Sequence, residues 1–173
     1  MKNIILDEVD GVLYIDVSTP KHPDAVMLVD KDDWVSYTSE YTFRVMCSEH
    51  RGIRYCVSYP KGKSMFFHRF ILPDSTQVDH VNHNGMDNRR SNIRSCTHAQ
   101  NMMNRGLQAN NKSGVTGVLW DKLTKKWRAT IKIRGKNKYL GQFAEKSDAI
   151  ACRKQAEENL FGEYSYNNSM EAV

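Results

Sequence analysis

The chain has 173 residues, 40% of them hydrophobic, and a formal net charge of +5. That length makes one ordinary domain or two small ones, each with a thin core. A mean hydropathy of −0.63 and the lack of any window approaching a membrane span exclude an integral membrane helix. The opening MKNIILDEVDG offers only three apolar residues before Asp7, too few for a signal-peptide core, so a cytoplasmic protein is expected. The first part of the chain, residues 1–78, predicts short strands at 26–29, 42–46, 55–59 and 65–70 from alternating or aromatic runs. Arg51-Gly52 and Lys61-Gly62 are its hairpin turns, and residues 30–34 form one helical turn that Asp30 can cap.

The second part, residues 79–104, reads as strand, polar loop, strand and helix. Val78-Asp79-His80 is a strand end, residues 82–90 are the loop, and residues 92–95 are the second strand. Thr97-His98-Ala99-Gln100 has the form of a capping box that starts the helix. After an Asn-rich connector at 105–113, the third part predicts strands at 116–120, 126–134 and 138–143. Residues 122–125 and Gly135-Lys136-Asn137 supply the turns. A helix follows, capped by Ser147, with Asp148 in its first turn and an apolar stripe of Ala149, Cys152, Ala156 and Leu160. Gly162 stops it, and residues 165–173 are expected to fray.

Cysteine and charge patterns narrow the function. Cys47, Cys56, Cys96 and Cys152 make no C-x-x-C pair, so they read as buried small hydrophobes rather than zinc ligands or disulfides. Residues 1–40 hold nine acids against three lysines, while residues 105–140 hold ten bases and a single acid, Asp121. Such segregation points to a polyanionic partner at the basic end. Along the strand at 126–134, Trp127, Ala129, Ile131 and Ile133 alternate with Arg128, Thr130, Lys132 and Arg134. Period-two alternation puts the apolar set against the helix and the basic set outward, a credible reader of a DNA groove.

Asp79, His80 and Asn101 are the candidate cutting centre. Asp79 and His80 point to opposite faces of their strand, and Asn101 lies one turn inside the capped helix. An Asp oxygen facing an Asn oxygen makes a sparse hard-oxygen site suited to one Mg²⁺ or Mn²⁺ ion. A neighbouring His can take a proton from an attacking water at neutral pH. Arg89, Arg90 and Arg94 can clamp flanking phosphates. His83 is either a solvated loop residue or a contact to phosphate, and His68 either a core-edge residue or a DNA contact.

The whole string resembles the HNH nuclease motif, in particular its phage and intron-encoded homing branch. The resemblance rests on Asp79-His80, Asn82, Asn84-Gly85, Asp87-Asn88-Arg89, Asn92-Ile93-Arg94, Thr97, Asn101 and Asn104-Arg105, with Phe67-His68-Arg69-Phe70-Ile71-Leu72 upstream. It implies His80 as general base, Asp79 and Asn101 as metal ligands, and Asn92 as the residue that holds the loop. Residues 113–164 resemble the Apetala-type DNA-binding domain, through Ser113-Gly114-Val115, Gly117-Val118, Trp120, Lys126-Trp127-Arg128-Ala129, Ile131 and Tyr139-Leu140-Gly141-Phe143. There the resemblance implies DNA-facing positions at Arg128, Thr130, Lys132 and Tyr139. Leu119 and Asp121 stand where plant members have arginines, so base readout by that first strand is not carried over.

The organisation expected is α+β. A small β-rich region packs on a central ββα-metal unit (78–104) within a nuclease domain at 1–104. A DNA-tracking linker at 105–112, including Asn104, Arg105 and Lys112 as contacts, leads to a three-stranded antiparallel sheet with one helix at 113–164 and a tail at 165–173. The function expected is site-directed hydrolysis of double-stranded DNA by a phage- or mobile-intron-encoded homing enzyme, without a small-molecule cofactor. A monomer favours nicking, and a dimer would cut both strands. The rivals are a non-catalytic DNA-binding regulator and a restriction or defence nuclease.

Overall fold

Alternating apolar residues near the N-terminus build a three-stranded antiparallel sheet in a computed structural model, which describes residues 3–37, 41–48, 53–104, 107, 111–133 and 135–165. Its strands are β1 (Ile4–Val9), β2 (Val12–Asp16) and β3 (Val26–Asp30). Asp10 and Gly11 join β1 to β2 with φ of 50° and 79°. Positive φ at both central residues is the twist-matched hairpin turn that Asp-Gly favours. Neither β1 nor β2 is among the expected strands, so this hairpin corrects the reading of the first part.

The chain divides into two units, Met1–Thr97 and His98–Val173. In the first, β3 runs into α1 (Lys31–Tyr37), and a second sheet follows from β4 (Arg44–Cys47), β5 (Arg54–Ser58) and β6 (Met65–Phe66). Lys61-Gly62 does turn the chain, with φ of 49° and 79°, whereas Arg51-Gly52 lies outside the described residues. The strand expected at 65–70 stops after two residues and becomes α2 (Phe67–Ile71). The reason is spacing: Phe67, Phe70 and Ile71 fall at i, i+3 and i+4, one face of a helix. That face joins Trp34 and Phe43 in the core, with Phe43 and Phe67 rings 4.8 Å apart and nearly perpendicular. Two four-residue strands, β7 (Gln77–His80) and β8 (Ile93–Cys96), close the unit as a separate antiparallel pair. Val78, Met86 and Ile93 bury in the same core as β2, β3 and α2, so the loop and its strands share one hydrophobic interior with the N-terminal sheet.

His68 of α2 is buried in that interior. Its ring meets His80 edge-on at 4.9 Å, stacks on Phe66, and keeps Nδ1 without a hydrogen-bond partner. Burial, then the neighbouring His80 and Arg69, pull its pKa down to about 3.

The second unit opens with α3 (His98–Met103) and continues through a sheet ordered β11-β10-β9. Its strands are β9 (Val118–Asp121), β10 (Lys126–Ile133) and β11 (Lys136–Phe143), so Lys136 and Asn137 belong to a strand rather than the expected turn. Gly117, at φ 81°, lies against the Thr130 carbonyl so closely that any Cβ would collide with it. The final helix, α4 (Lys146–Phe161), begins at Glu145 with no side-chain cap, so Ser147 sits inside the first turn and does not cap it. Asp148 does lie in that turn, and Gly162 ends the helix, donating to the Glu158 carbonyl.

The apolar stripe expected on α4 is displaced. Leu160 is exposed, Cys152 is half-buried, and the face turned inward carries Ala149, Arg153 and Glu157. Ala149 packs with Val115, Val118 and Ala129, and this small core leaves room for a buried ion pair. Arg153 Nη1 lies 2.7 Å from Glu157 Oε1, and the Arg153 guanidinium rests over Phe161. Ser165, placed in the expected frayed tail, is buried and donates to Glu157 Oε2 at 3.4 Å. Cys47, like Cys152, is half-buried, while Cys56 and Cys96 are fully buried, and all four are free thiols. Among the described residues no helix is long and apolar enough to cross a membrane.

Two stability tests follow. Folded His68 resists protonation while the unfolded imidazole does not, so between pH 6.5 and about 3 the unfolded chain binds more protons. Stability contributed by neutral His68 is therefore complete above pH 6.5 and falls as pH drops through that window; His68→Phe is expected to show a shallower acid slope in urea unfolding than wild type. In the second unit, Glu157→Leu strands a buried guanidinium and should cost about 3–5 kcal/mol. The double variant Arg153→Met, Glu157→Leu should recover most of that loss in the same measurement.

Candidate active site

Between β7 and β8 the chain makes a twelve-residue loop whose backbone polar groups must be satisfied away from water. Amide side chains do this. Asn92, at the base of β8, accepts from the Asn82 N–H at 2.9 Å and donates to the Asp87 carbonyl at 2.7 Å, tying the two limbs together. Asn82 donates to Asp87 Oδ2 and accepts from the Asn84 N–H, while Asn84 accepts from the Met86 N–H. The far limb is then stitched to β3: Leu28 donates to the Met86 carbonyl, and Asn88 donates to the Leu28 carbonyl. Gly85 packs so tightly on the Arg54 carbonyl and the Tyr55 ring that a side chain has no room.

Asp79 and His80, the last residues of β7, are both buried. His80 Nε2 lies 3.3 Å from Asn88 Oδ1. Because Asn88 Nδ2 donates to the Met86 carbonyl, the oxygen is the atom turned toward the imidazole. Neutral His80 then carries its proton on Nε2 and its lone pair on Nδ1. Burial lowers the His80 pKa, against opposing contributions from the Asn88 hydrogen bond and the Asp79 and Asp87 charges. The ring is thus a neutral base at neutral pH. His83, at φ 62°, is also held neutral: burial depresses it, Asp79 opposes and Arg94 adds to the depression. Asn88 enters the sequence reading only inside the motif string and without a role of its own; in an Asn-rich loop an amide that holds a ring and one that forms a turn look alike.

All three candidate phosphate clamps are ion-paired. Arg89 forks onto both oxygens of Asp87 at 2.7 and 2.6 Å. Arg90 does the same to Asp33 of α1 at 2.8 and 2.6 Å, and its backbone N–H donates to Asp30. Arg94 faces Asp79 across the β7–β8 pair and sends both Nε and Nη2 to one oxygen, Oδ2, at 3.2 and 2.9 Å. Burial opposes ionisation of Asp87, but its bonds with Arg89 outweigh that and leave the carboxyl below its ordinary range.

Asn101 lies half-buried on α3, in the second unit. Among the described residues no three His, Cys, Asp or Glu side chains cluster as a metal cage. The oxygens of the Asp79 carboxylate suit a hard cation that keeps several waters and takes phosphate oxygens. They do not fit a zinc site, which would be built from imidazole and thiolate.

In the second unit the sheet shows two unlike faces. Ala129 and Ile131 are buried beneath it, whereas Arg128 and Lys132 are exposed on the other side. Arg128 lies between Leu119 and Gln142, Thr130 beside Tyr139, and Lys132 beside Asn137. Tyr139 is 58% exposed, and Thr130 donates its hydroxyl to the Gly117 carbonyl. Lys112 is exposed and Asn104 is buried; Arg105 and Arg134 lie outside the described residues.

Comparison with known proteins points to the same stretch of chain. Residues 71–103 match a family model described as HNH endonuclease. An uncharacterized HNH endonuclease of Acanthamoeba polyphaga mimivirus is 30% identical over 125 residues, 68% of this chain and 64% of that protein. Protein 3.8 of Escherichia phage T7 is 29% identical over 65 residues, 38% of this chain and 54% of its own length. The matched region thus spans less than two thirds of either relative, and no solved structure matches the chain. Over residues 71–103, the segment that carries Asp79, His80, Asn88 and Asn92, the chain is similar to the HNH endonuclease family.

Proposed function

We propose that the protein is a DNA endonuclease that hydrolyses a phosphodiester with His80 as general base and one divalent cation held by Asp79 and Asn101. The observation that carries this reading is His80 itself: a buried imidazole, its Nε2 held by an amide, beside a carboxylate in the family-matched segment. His80 Nδ1 takes the proton from the water that attacks phosphorus. Asn88 keeps the ring in that tautomer, and the Asn82–Asn92–Asp87 network fixes the strand ends that aim it. A bound Mg²⁺ or Mn²⁺ would neutralise charge on the phosphate and on the leaving oxygen. Arg89 and Arg90 each hold a carboxylate with both arms, which suits them to shaping the loop, while Arg94 stands at the proposed metal ligand.

The basic outer face of the second sheet, through Arg128, Thr130, Lys132 and Tyr139, would hold duplex DNA, with Asn104, Arg105, Lys112 and Arg134 as further contacts. An Apetala-like mode of binding and a homing role are the finer form of this reading, and both rest on the sequence motifs of residues 79–104 and 113–164. A DNA-binding regulator without activity is the alternative from a different class.

The decisive measurement is relaxation of supercoiled plasmid. Wild type with Mg²⁺ or Mn²⁺ should nick it, EDTA should stop the reaction, and His80→Ala should lower the rate by about 100-fold or more. Wild type that binds DNA but never cuts would leave the regulator in possession. For the sheet, the double variant Arg128→Ala, Lys132→Ala should bind more weakly and lose about 2 from the slope of log affinity against log salt. An unchanged slope removes this face from the interface.

A further inference from the structure

We propose that Arg94 is a counter-ion that DNA draws away from Asp79, so that metal and DNA bind cooperatively. The inference rests on the nuclease reading above and deepens it. Three arginines of the site segment pair with carboxylates, and one pair is built differently. Arg89 and Arg90 grip both oxygens of their partners, whereas Arg94 brings two donors to a single oxygen of Asp79. A two-oxygen fork is the arrangement that fixes a carboxylate; donation to one oxygen gives up that bidentate geometry.

The location gives the difference its meaning. Asp79 and Arg94 are register partners across β7 and β8, with side chains 9% and 15% exposed, so solvent screens their attraction poorly. Arg94 reaches the proposed cation ligand from β8, its Nη2 2.9 Å from Asp79 Oδ2. The guanidinium is a fixed positive charge set against Asp79, and an incoming cation must compete with it. A phosphodiester supplies Arg94 with a second anion. The long side chain can reorient toward it while β8 stays in place, and the carboxylate is released to the cation. Coupling of this kind is reciprocal: DNA tightens metal binding by the factor that metal tightens DNA binding.

The test is Mn²⁺ titration of the full chain, read by the electron paramagnetic resonance of unbound ion. Each titration is run with and without a mixed-sequence duplex, and the ion bound by duplex alone is subtracted. Wild type should bind Mn²⁺ about tenfold more tightly with duplex present. Arg94→Gln should bind it about tenfold more tightly than wild type without DNA and gain little from duplex, with Arg94→Lys in between. An Arg94→Gln protein of native circular dichroism that binds Mn²⁺ no better than wild type, or keeps the full coupling, overturns the proposal. Should Arg94→Gln not fold, the wild-type Arg94 Nε–H resonance decides: it must shift on saturation with duplex, and an unmoved signal overturns the idea. Wild type that fails to bind Mn²⁺ even with DNA removes the nuclease reading itself, whereas binding with coupling that survives Arg94→Gln removes only the role of Arg94.

Discussion

Everything at the candidate site hangs on one buried amide. Two strands of four residues cannot by themselves discipline a loop of twelve, and a loop sunk among buried side chains cannot leave its peptide groups to water. Asn92 meets both demands at once, with its oxygen on one limb and its nitrogen on the other. Asp87 supplies the second node, taking Asn82 and Arg89 on its carboxylate and Asn92 on its carbonyl. Such a network stabilises only when complete, because any member left unpaired in a low-dielectric interior costs more than its hydrogen bond contributes. The density of Asn and Asp in this loop is thus a requirement of its burial.

The separation of charge along the chain takes on a second meaning in the fold. Acids of the first forty residues do more than make one end negative: Asp33 and Asp30 hold Arg90, Glu8 holds Lys31, and Asp24 lies near Arg54. Several cations of the first unit are therefore met by acids of the same unit. On the outer face of β10 in the second unit, Arg128 and Lys132 have Leu119, Gln142 and Asn137 as cross-strand neighbours, with no acid among them. The basic surplus of the sequence is thus carried on an exposed sheet face of the second unit.

Legibility from sequence followed the strength of local signals. The strand–loop–strand–helix order around Asp79 and the three C-terminal strands were visible, because polar clusters and two-residue alternation mark them clearly. The β1–β2 hairpin was also signalled, by Asp10-Gly11 between apolar runs, yet nine clustered acids masked it as a charged segment. Residues 67–71 failed for a different reason: an aromatic run satisfies both periods, and only the position of Phe43 and Trp34 chooses the helix. Of the inward face of α4 only Ala149 could be read, since hydrophobicity cannot announce a buried Arg153–Glu157 pair. At the candidate site the bonding of the residues was not legible. Nothing local distinguishes Arg94, which touches one oxygen, from Arg89, which grips two.

The stitching of residues 86–88 onto β3 carries a consequence for motion. Loops that bear chemistry commonly open on their own, exchanging their amide hydrogens far faster than the core does. Here the Asn88 amide is bonded to the carbonyl of Leu28, inside the central interior of the unit, and Met86 is buried in the same interior. Releasing residues 86–88 means opening that interior, so the Asn88 and Leu28 amides are expected to exchange with the core. The imidazole of His80, bonded to Asn88 of the same loop, is consequently held in place by the fold itself.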